Sequence, residues 1–465
     1  MRSHLSPLDA TLLEIEENDD CAHMQVGWAI VLDPPPDGGR PSVERLREQV
    51  RERIEETSLL RRRLSMPGVG QLSLPVWLPD PAFDVGQLIH RARLPGAGGE
   101  AELMGWLGDY FSQRLDRDRP LWETTLLEGL EGGRWALVCK VHHCLVDGIS
   151  GVNLVAALLD AEPEPDPEET AKKLAAMVTW FSEEEKRGAL MSLRGVVGEA
   201  IGGIDAAVHP HKVLEILAQS RSMAETLAHD ELAAPPHTSL NEPIGAGRRL
   251  AAVEVPLEEM KRVKRELGGT VEDVTLALTA AGLRRLFEHR GEKVDRVRVL
   301  LPVSLPQAGE ALVRGESVSS LFADLPVSEP DPLLRYQKIV AATEGLKGDD
   351  AAGGAEGGVQ LAGLAPSLLQ SVVARLAFTP GLFNVTLTNL SISPIPLYSL
   401  TAPVHGIVPL VPICTGYALA VTAITYNEGI YFGLNADRRS VPDLEVMRDG
   451  IEDALAELQT VSPAI

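Results

Sequence analysis

Val141-His142-His143-Cys144-Leu145-Val146-Asp147-Gly148 follows directly on an apolar run from Trp135 to Val141. That run, rich in β-branched residues and opened by an aromatic one, predicts a buried strand, and the apolar spacing from Ile149 to Asp160 predicts a helix. The two histidines therefore sit where a strand stops. Imidazole is the side chain whose ordinary pKa lies nearest neutrality, so a histidine there can take a proton from a hydroxyl or an amine. Asp147, four residues beyond His143, is close enough to shape the loop, and Gly148 relieves the turn of a Cβ that could clash. The pattern points to a general base held by an Asp-Gly turn.

Outward from this octet the chain reads as two lobes. Up to residue 160, strands (Val26 to Leu32, Trp135 to Val141) mix with helices (Ser42 to Glu56, Glu100 to Ser112). Glu162-Pro163-Glu164-Pro165-Asp166-Pro167 is a break that neither a helix nor a central strand could traverse. From Glu168 to Ala234 the composition is rich in Ala, Leu and Glu without a strand signal, which predicts connecting helices, closed by Pro235-Pro236. The pattern resumes near Thr238 with helices at Leu257 to Leu267 and Val274 to His289 and a strand at Val297 to Val303. Val404 to Tyr431 alternates short apolar runs with Gly and Pro, as strands and turns would. The expected division is 1–160, 161–237 and 238–465, and at 465 residues two domains are the default. Gly353-Gly354 and Gly357-Gly358 mark a loop and not a phosphate cradle, since no Lys-Ser pair follows.

The formal net charge of −23 argues against nucleic acid and against polybasic attachment to anionic lipid, both of which need a basic surface. Cys21, Cys139, Cys144 and Cys414 form neither a CxxC pair nor a disulfide framework, which predicts cytoplasmic thiols. The N-terminus lacks an apolar core of signal-peptide length, and no stretch reaches the roughly 18 to 20 apolar residues that a membrane-spanning helix needs. Leu361 to Phe383 is the most membrane-like stretch, and Pro366, Gln370, Arg375 and Pro380 interrupt it; a helix packed on the protein's own core fits it better than an interfacial one. His209 and His211 lack the surrounding ligands of a metal site, so no metal is expected.

His-His-x-x-x-Asp-Gly resembles the signature of the chloramphenicol-acetyltransferase-like superfamily. Leu5-Ser6-Pro7-Leu8-Asp9-Ala10, Met24-Gln25-Val26-Gly27 and Pro120-Leu121-Trp122 narrow the resemblance to the bacterial bifunctional wax ester synthase/diacylglycerol acyltransferases. Ser239-Leu240-Asn241-Glu242-Pro243-Ile244-Gly245 with Arg248-Arg249, then Gly269 to Val274, Leu301-Pro302-Val303-Ser304 and Gly433-Leu434-Asn435-Ala436-Asp437, follow in that family's order. The resemblance implies an α/β (α+β) fold of two lobes, each a mixed sheet with helices, joined by a helical connector with a tunnel between them. It implies a catalytic set of His143 as base, His142 as its support, Asp147 bracing the loop through an arginine, and Gly148. Cys144 is no nucleophile in such a scheme, because the family transfers the acyl group directly. Three departures stand out: Glu272-Asp273 where the family has Asn-Asp, Leu305-Pro306-Gln307 where an Arg is usual, and Asn389 followed by Leu390-Ser391-Ile392-Ser393 instead of Val-Pro-Gly-Pro.

The implied reaction moves a long-chain acyl group from acyl-CoA, a co-substrate and not a cofactor, to diacylglycerol or a fatty alcohol. The protein would be cytoplasmic, with peripheral contact at membranes or lipid inclusions. Two other readings share the histidine motif: a condensation-type enzyme acting on carrier-protein thioesters, and a non-catalytic lipid-binding homologue. Pro120, Leu121, Trp122 and Asn389 are the substrate-binding candidates by motif. The phosphates of CoA call for a basic patch in a strongly acidic chain, and Arg248, Arg249, Lys261, Arg262, Lys264, Arg265, Arg284 and Arg285 cluster at the start of the second lobe. A solvated helix face is the competing reading of that cluster.

Overall fold

The computed structural model describes residues 3–5, 7–54, 58–65, 75–145, 154–164, 235–301, 322–347 and 381–461. The first half runs β1 (Ser3–His4), α1 (Pro7–Asn18), β2 (Gln25–Leu32), α2 (Val43–Arg53), β3 (Arg62–Ser65), β4 (Val76–Pro79), β5 (Ile89–Arg93), α3 (Glu100–Phe111), β6 (Trp122–Glu128) and β7 (Trp135–His142), with a further helical stretch at 154–158. The second runs β8 (Arg248–Pro256), α4 (Leu257–Leu267), α5 (Val271–Arg290), β9 (Val297–Leu300), β10 (Phe322–Leu325), α6 (Pro332–Lys347), β11 (Val385–Ser393), β12 (Tyr398–Ser399), β13 (Ala402–Leu410), β14 (Leu419–Tyr426), β15 (Gly429–Asp437) and α7 (Leu444–Val461). Residues 165 to 234 of the expected connector (161–237), with His209 and His211, lie outside the described residues. So do Asp147, Gly148, Leu305 to Gln307, the paired glycines at 353 to 358, and Leu361 to Phe383 except its last three residues.

The strands form two six-stranded mixed sheets and a small three-stranded one, β1-β4-β3. The first large sheet has the order β12-β13-β2-β7-β6-β5, parallel only between β5 and β6. The second has the order β10-β9-β11-β14-β15-β8, with β11 parallel to both neighbours. This is the α/β architecture of two mixed-sheet lobes. β7 lies between β2 and β6, and all eight of its residues are buried, which is why it reads as an unbroken apolar run.

The chain does not partition between the sheets as it does along its length. Residues 398–410 fall in the expected second half, yet β13 pairs with β2 from Val404↔Leu32 to Leu410↔Gly27 and completes the first sheet. β13 also lies against β15 of the second sheet. The contact is so close that a Cβ on Gly433 would fall 1.7 Å from the Pro409 carbonyl oxygen. Only glycine permits that approach, which gives the Gly433-Leu434-Asn435 motif a packing role.

In the second lobe α5 is the central helix, with most of its length buried. Its start is fixed by a reciprocal cap: Thr270 Oγ1 accepts from Asp273 N–H, and the Asp273 carboxylate accepts from Thr270 N–H at 2.7 Å. Gly291, at φ 64°, ends it in the left-handed conformation. α7 crosses α5 at Gly282 and Gly450, where a Cβ on Gly450 would lie 2.9 Å from Gly282 Cα.

Helices α1, α6 and α7 and strands β1, β3 to β6, β8 and β10 to β12 are absent from the sequence reading. α1 sounds polar and acidic because its buried side carries Glu16 beside Leu12 and Leu13.

Candidate active site

β7 delivers the histidine pair. Side chains alternate across a strand, so Leu137, Cys139 and Val141 enter one core while Ala136 and Val138 enter the other, beneath α3. Lys140, also buried, turns its ammonium to the end of α3. It donates to the Tyr110 and Gln113 carbonyls at 3.1 and 3.0 Å and pairs with Glu123 at 2.8 Å. Burial pulls its pKa down, and Glu123 opposes that pull.

The two histidines have different surroundings. His142 is 1% exposed, and its backbone N–H donates to the Leu121 carbonyl at 2.9 Å. Its Nδ1 accepts from the Cys144 backbone N–H at 3.2 Å, and its Nε2 lies 3.2 Å from Glu16 Oε2. His143 is only partly buried, at the start of a single 3-10 turn, and its N–H donates to the Met24 carbonyl at 2.8 Å. One ring is thus built into the structure, and the other stands at the strand's exit.

Glu16 is the buried partner that sequence reasoning missed. It is 2% exposed on α1 and pairs with Arg117 at 2.5 Å, while Arg114 holds the Glu16 and Asp19 carbonyls at 2.7 Å each. Burial pushes its carboxyl up, but the hydrogen bond from His142, the charge that ring carries once protonated, and then the hydrogen bond and charge of Arg117 outweigh burial and hold it at about 2.

Pro120-Leu121-Trp122 supports this arrangement from β6. Leu121 supplies the carbonyl that holds His142, and Trp122, fully buried, donates its indole N–H to the Leu60 carbonyl at 2.8 Å. The motif was expected to touch substrate. Its Leu and Trp side chains are instead completely enclosed, because they fill the core beneath the strand that carries the histidines.

Comparison with known proteins adds the family. The model of the wax ester synthase/diacylglycerol acyltransferase catalytic domain matches residues 5–275, and that of the family's C-terminal domain matches 314–459. The chain belongs to this family. A probable diacylglycerol O-acyltransferase of Mycobacterium tuberculosis is 31% identical, covering 99% of this chain and 96% of its own. A putative one from the same species is 32% identical, covering 98% and 99%. Among solved structures, the wax ester synthase/diacylglycerol acyltransferase from Marinobacter aquaeolei VT8 superposes with a TM-score of 0.69 at 26% identity, covering 99% of this chain and all of that one. The first condensation domain of the calcium-dependent antibiotic synthetase, at 17% identity and a TM-score of 0.54 over 100% and 98% of the two chains, shares the fold.

Other motifs of this acyltransferase family turn out to join parts of the chain. Asn241 donates from Nδ2 to the Phe383 and Gly416 carbonyls at 3.2 and 3.0 Å, and Asp437, wholly buried, accepts the Gly245 N–H at 2.8 Å. Asp273, retained at the Glu272-Asp273 departure, caps α5 and accepts the Thr343 hydroxyl of α6 at 2.6 Å. Asn389 lies on β11 opposite Ala423, and the Leu390 and Ile392 that follow it pack against the first lobe's core.

Most of the basic cluster is engaged with carbonyls or carboxylates of the protein itself. Arg248 is 2% exposed. Its Nη1 donates to the Gly245 and Gly247 carbonyls at 2.7 and 3.4 Å, its Nη2 donates to the Cys21 carbonyl, and its backbone N–H donates to Ser112 Oγ at 2.9 Å. It is a clamp between the lobes. Arg249 faces outward in a two-pronged pair with Glu445, at 3.1 Å from Nε to Oε1 and 2.8 Å from Nη2 to Oε2. Lys261, Arg262 and Arg265 pair with Glu258 or Glu259, Arg284 with Glu288, and Arg285 with Asp453. Carboxylates thus already take up most of this positive charge.

An open depression lined by Asp37, Glu162 and Glu164 lies past Leu32, at the opposite end of β2 from the Gln25↔His142 pair. Its acidity is unsuited to phosphates. Among the described residues no cluster of His, Cys, Asp or Glu could hold a metal ion, and no helix is long and apolar enough to cross a membrane.

Proposed function

We propose that His143 is the general base of an O-acyl transfer from a long-chain acyl-CoA to the hydroxyl of diacylglycerol or of a long-chain alcohol. The observation that carries this is the contrast between the paired rings: His142 is enclosed and engaged at both nitrogens, while His143 is partly exposed where β7 ends. His143 Nε2 takes the acceptor's hydroxyl proton as the oxygen attacks the thioester carbonyl. The new C–O bond forms, the C–S bond breaks, and the proton passes from His143 to the departing CoA thiolate. No acyl-enzyme is needed. Proton transfer of this kind contributes about 10²–10⁴-fold, and holding donor and acceptor together contributes more.

Diacylglycerol and fatty alcohols partition into membranes and lipid inclusions, so the protein meets its acceptor there by peripheral contact. The test is incubation of purified protein with radiolabelled palmitoyl-CoA and either dioleoylglycerol or hexadecanol, followed by separation of the neutral lipids. Labelled triacylglycerol or wax ester is expected from the parent and none above background from His143→Ala. Undiminished product from a folded His143→Ala would overturn the assignment.

A further inference from the structure

We infer that Glu16 is a positioning residue, which fixes the tautomer of His142 and through it the turn that presents His143. The inference rests on the reading of His143 as the base.

The tautomer follows from the donors. A backbone amide always carries its hydrogen, and the Cys144 N–H points at His142 Nδ1 from 3.2 Å, so Nδ1 offers its lone pair to that amide and to the Cys144 thiol, whose Sγ lies 2.9 Å away. The ring proton is therefore on Nε2, which donates to Glu16 Oε2 at 3.2 Å. The same Oε2 accepts from Arg117 at 2.5 Å, so the acceptor stays an anion in a site that is almost dry. Arg117, Glu16, His142 and the Cys144 amide form one chain of hydrogen bonds.

This chain joins three separate parts of the protein: α1, the segment between α3 and β6, and the turn after β7. With Nε2–H held by Glu16, the ring cannot rotate or change tautomer, and Nδ1 keeps the backbone of Cys144 in place. Cys144 directly follows His143, whose own N–H is held by Met24. The backbone is thus fixed on both sides of the His143 ring. Without Glu16 the imidazole could protonate Nδ1 and repel the Cys144 amide, and the turn would lose that hold. A shift of about 1 Å in a reacting group can cost about 100-fold in rate.

The experiment compares Glu16→Ala with Glu16→Gln. Gln retains a carbonyl oxygen that can accept from both Nε2–H and Arg117, whereas Ala retains nothing. Glu16→Ala should lower kcat by about 100-fold with KM for acyl-CoA unchanged, the split expected when positioning is lost but binding is not. Glu16→Gln should recover most of that rate. In protein labelled with ¹⁵N-histidine, the His142 ring, assigned by its loss in His142→Gln, should show Nε2 protonated and Nδ1 bare in the parent and a mixture of tautomers in Glu16→Ala.

Three results overturn the inference: a folded Glu16→Ala with parental kcat, equal loss in both variants, or a His142 signal that Glu16→Ala leaves unchanged. Failure of the base assignment is seen separately, as activity retained by His143→Ala, and the ¹⁵N signal does not depend on it.

Discussion

Replacing Arg248 by Met tests whether the first arginine of the Arg248-Arg249 pair binds substrate or holds the lobes together. Met keeps much of the side chain's length but leaves the Gly245, Gly247 and Cys21 carbonyls without their donor. A buried acceptor that loses its partner costs about 1–3 kcal/mol. Part of that is offset because a guanidinium no longer has to be stripped of water. A net loss of about 3 kcal/mol follows, in the range measured when one side of a buried charged contact is removed.

Unfolding entropy near 2.1 cal/mol/K per residue gives ~1 kcal/mol/K over the 465 residues, so a single cooperative melt should drop by about 3 °C. Arg249→Met breaks a pair whose side chains are 37% and 39% exposed, worth at most about 1 kcal/mol, and should shift the melt by about 1 °C or less. Differential scanning calorimetry reads the melts, and initial rates against acyl-CoA concentration read KM. An Arg248→Met protein that melts with the parent but has a raised, salt-sensitive KM for acyl-CoA would refute the clamp and restore the phosphate-binding role.

Gly433→Ala should destabilise strongly or leave the protein insoluble, since its Cβ would meet the Pro409 oxygen; Gly105→Ala, inside α3 with nothing within 4 Å, should raise stability by about 0.5–1 kcal/mol in the same thermal melts. Cys144→Ala removes the Sγ that lies 2.9 Å from His142 Nδ1 but keeps the backbone amide's contact with that nitrogen, so turnover should stay near-parental; a folded variant that loses activity would show the thiol itself to be required. Glu16 has a carboxyl held at about 2 in the folded protein against 4.5 ordinarily, so it stabilises fully above pH 4.5 and its contribution, about 3 kcal/mol, drains away as pH falls toward 2. Urea melts from pH 5 to pH 2 should therefore show a shallower decline for Glu16→Gln than for the parent; parallel curves would count against the depressed carboxyl.

Much of the local structure was legible in the sequence because its causes are local. A strand buried on both faces needs an unbroken apolar run, so β7 could be placed to within a residue, and α4 runs from Leu257 to Leu267 as its apolar spacing requires. The histidine pair and the motifs that follow in order were enough to indicate the family. Sequence could not reveal Glu16, because an acidic residue on a polar-sounding helix acquires its meaning only from His142, 126 positions away. Nor could it assign residues 398–410 to the first sheet, since the partner of β13 is chosen by packing across the two lobes.

Arg248 and Arg249 show the limit most directly. They are adjacent and identical in type, and the sequence reading put them in one patch. Successive side chains on a strand point to opposite faces, so β8 turns Arg248 inward to the carbonyls that bind the lobes together and Arg249 outward to Glu445 and water. Residue type fixed their charge, and only the orientation of β8 between the two lobes decided what each charge would meet.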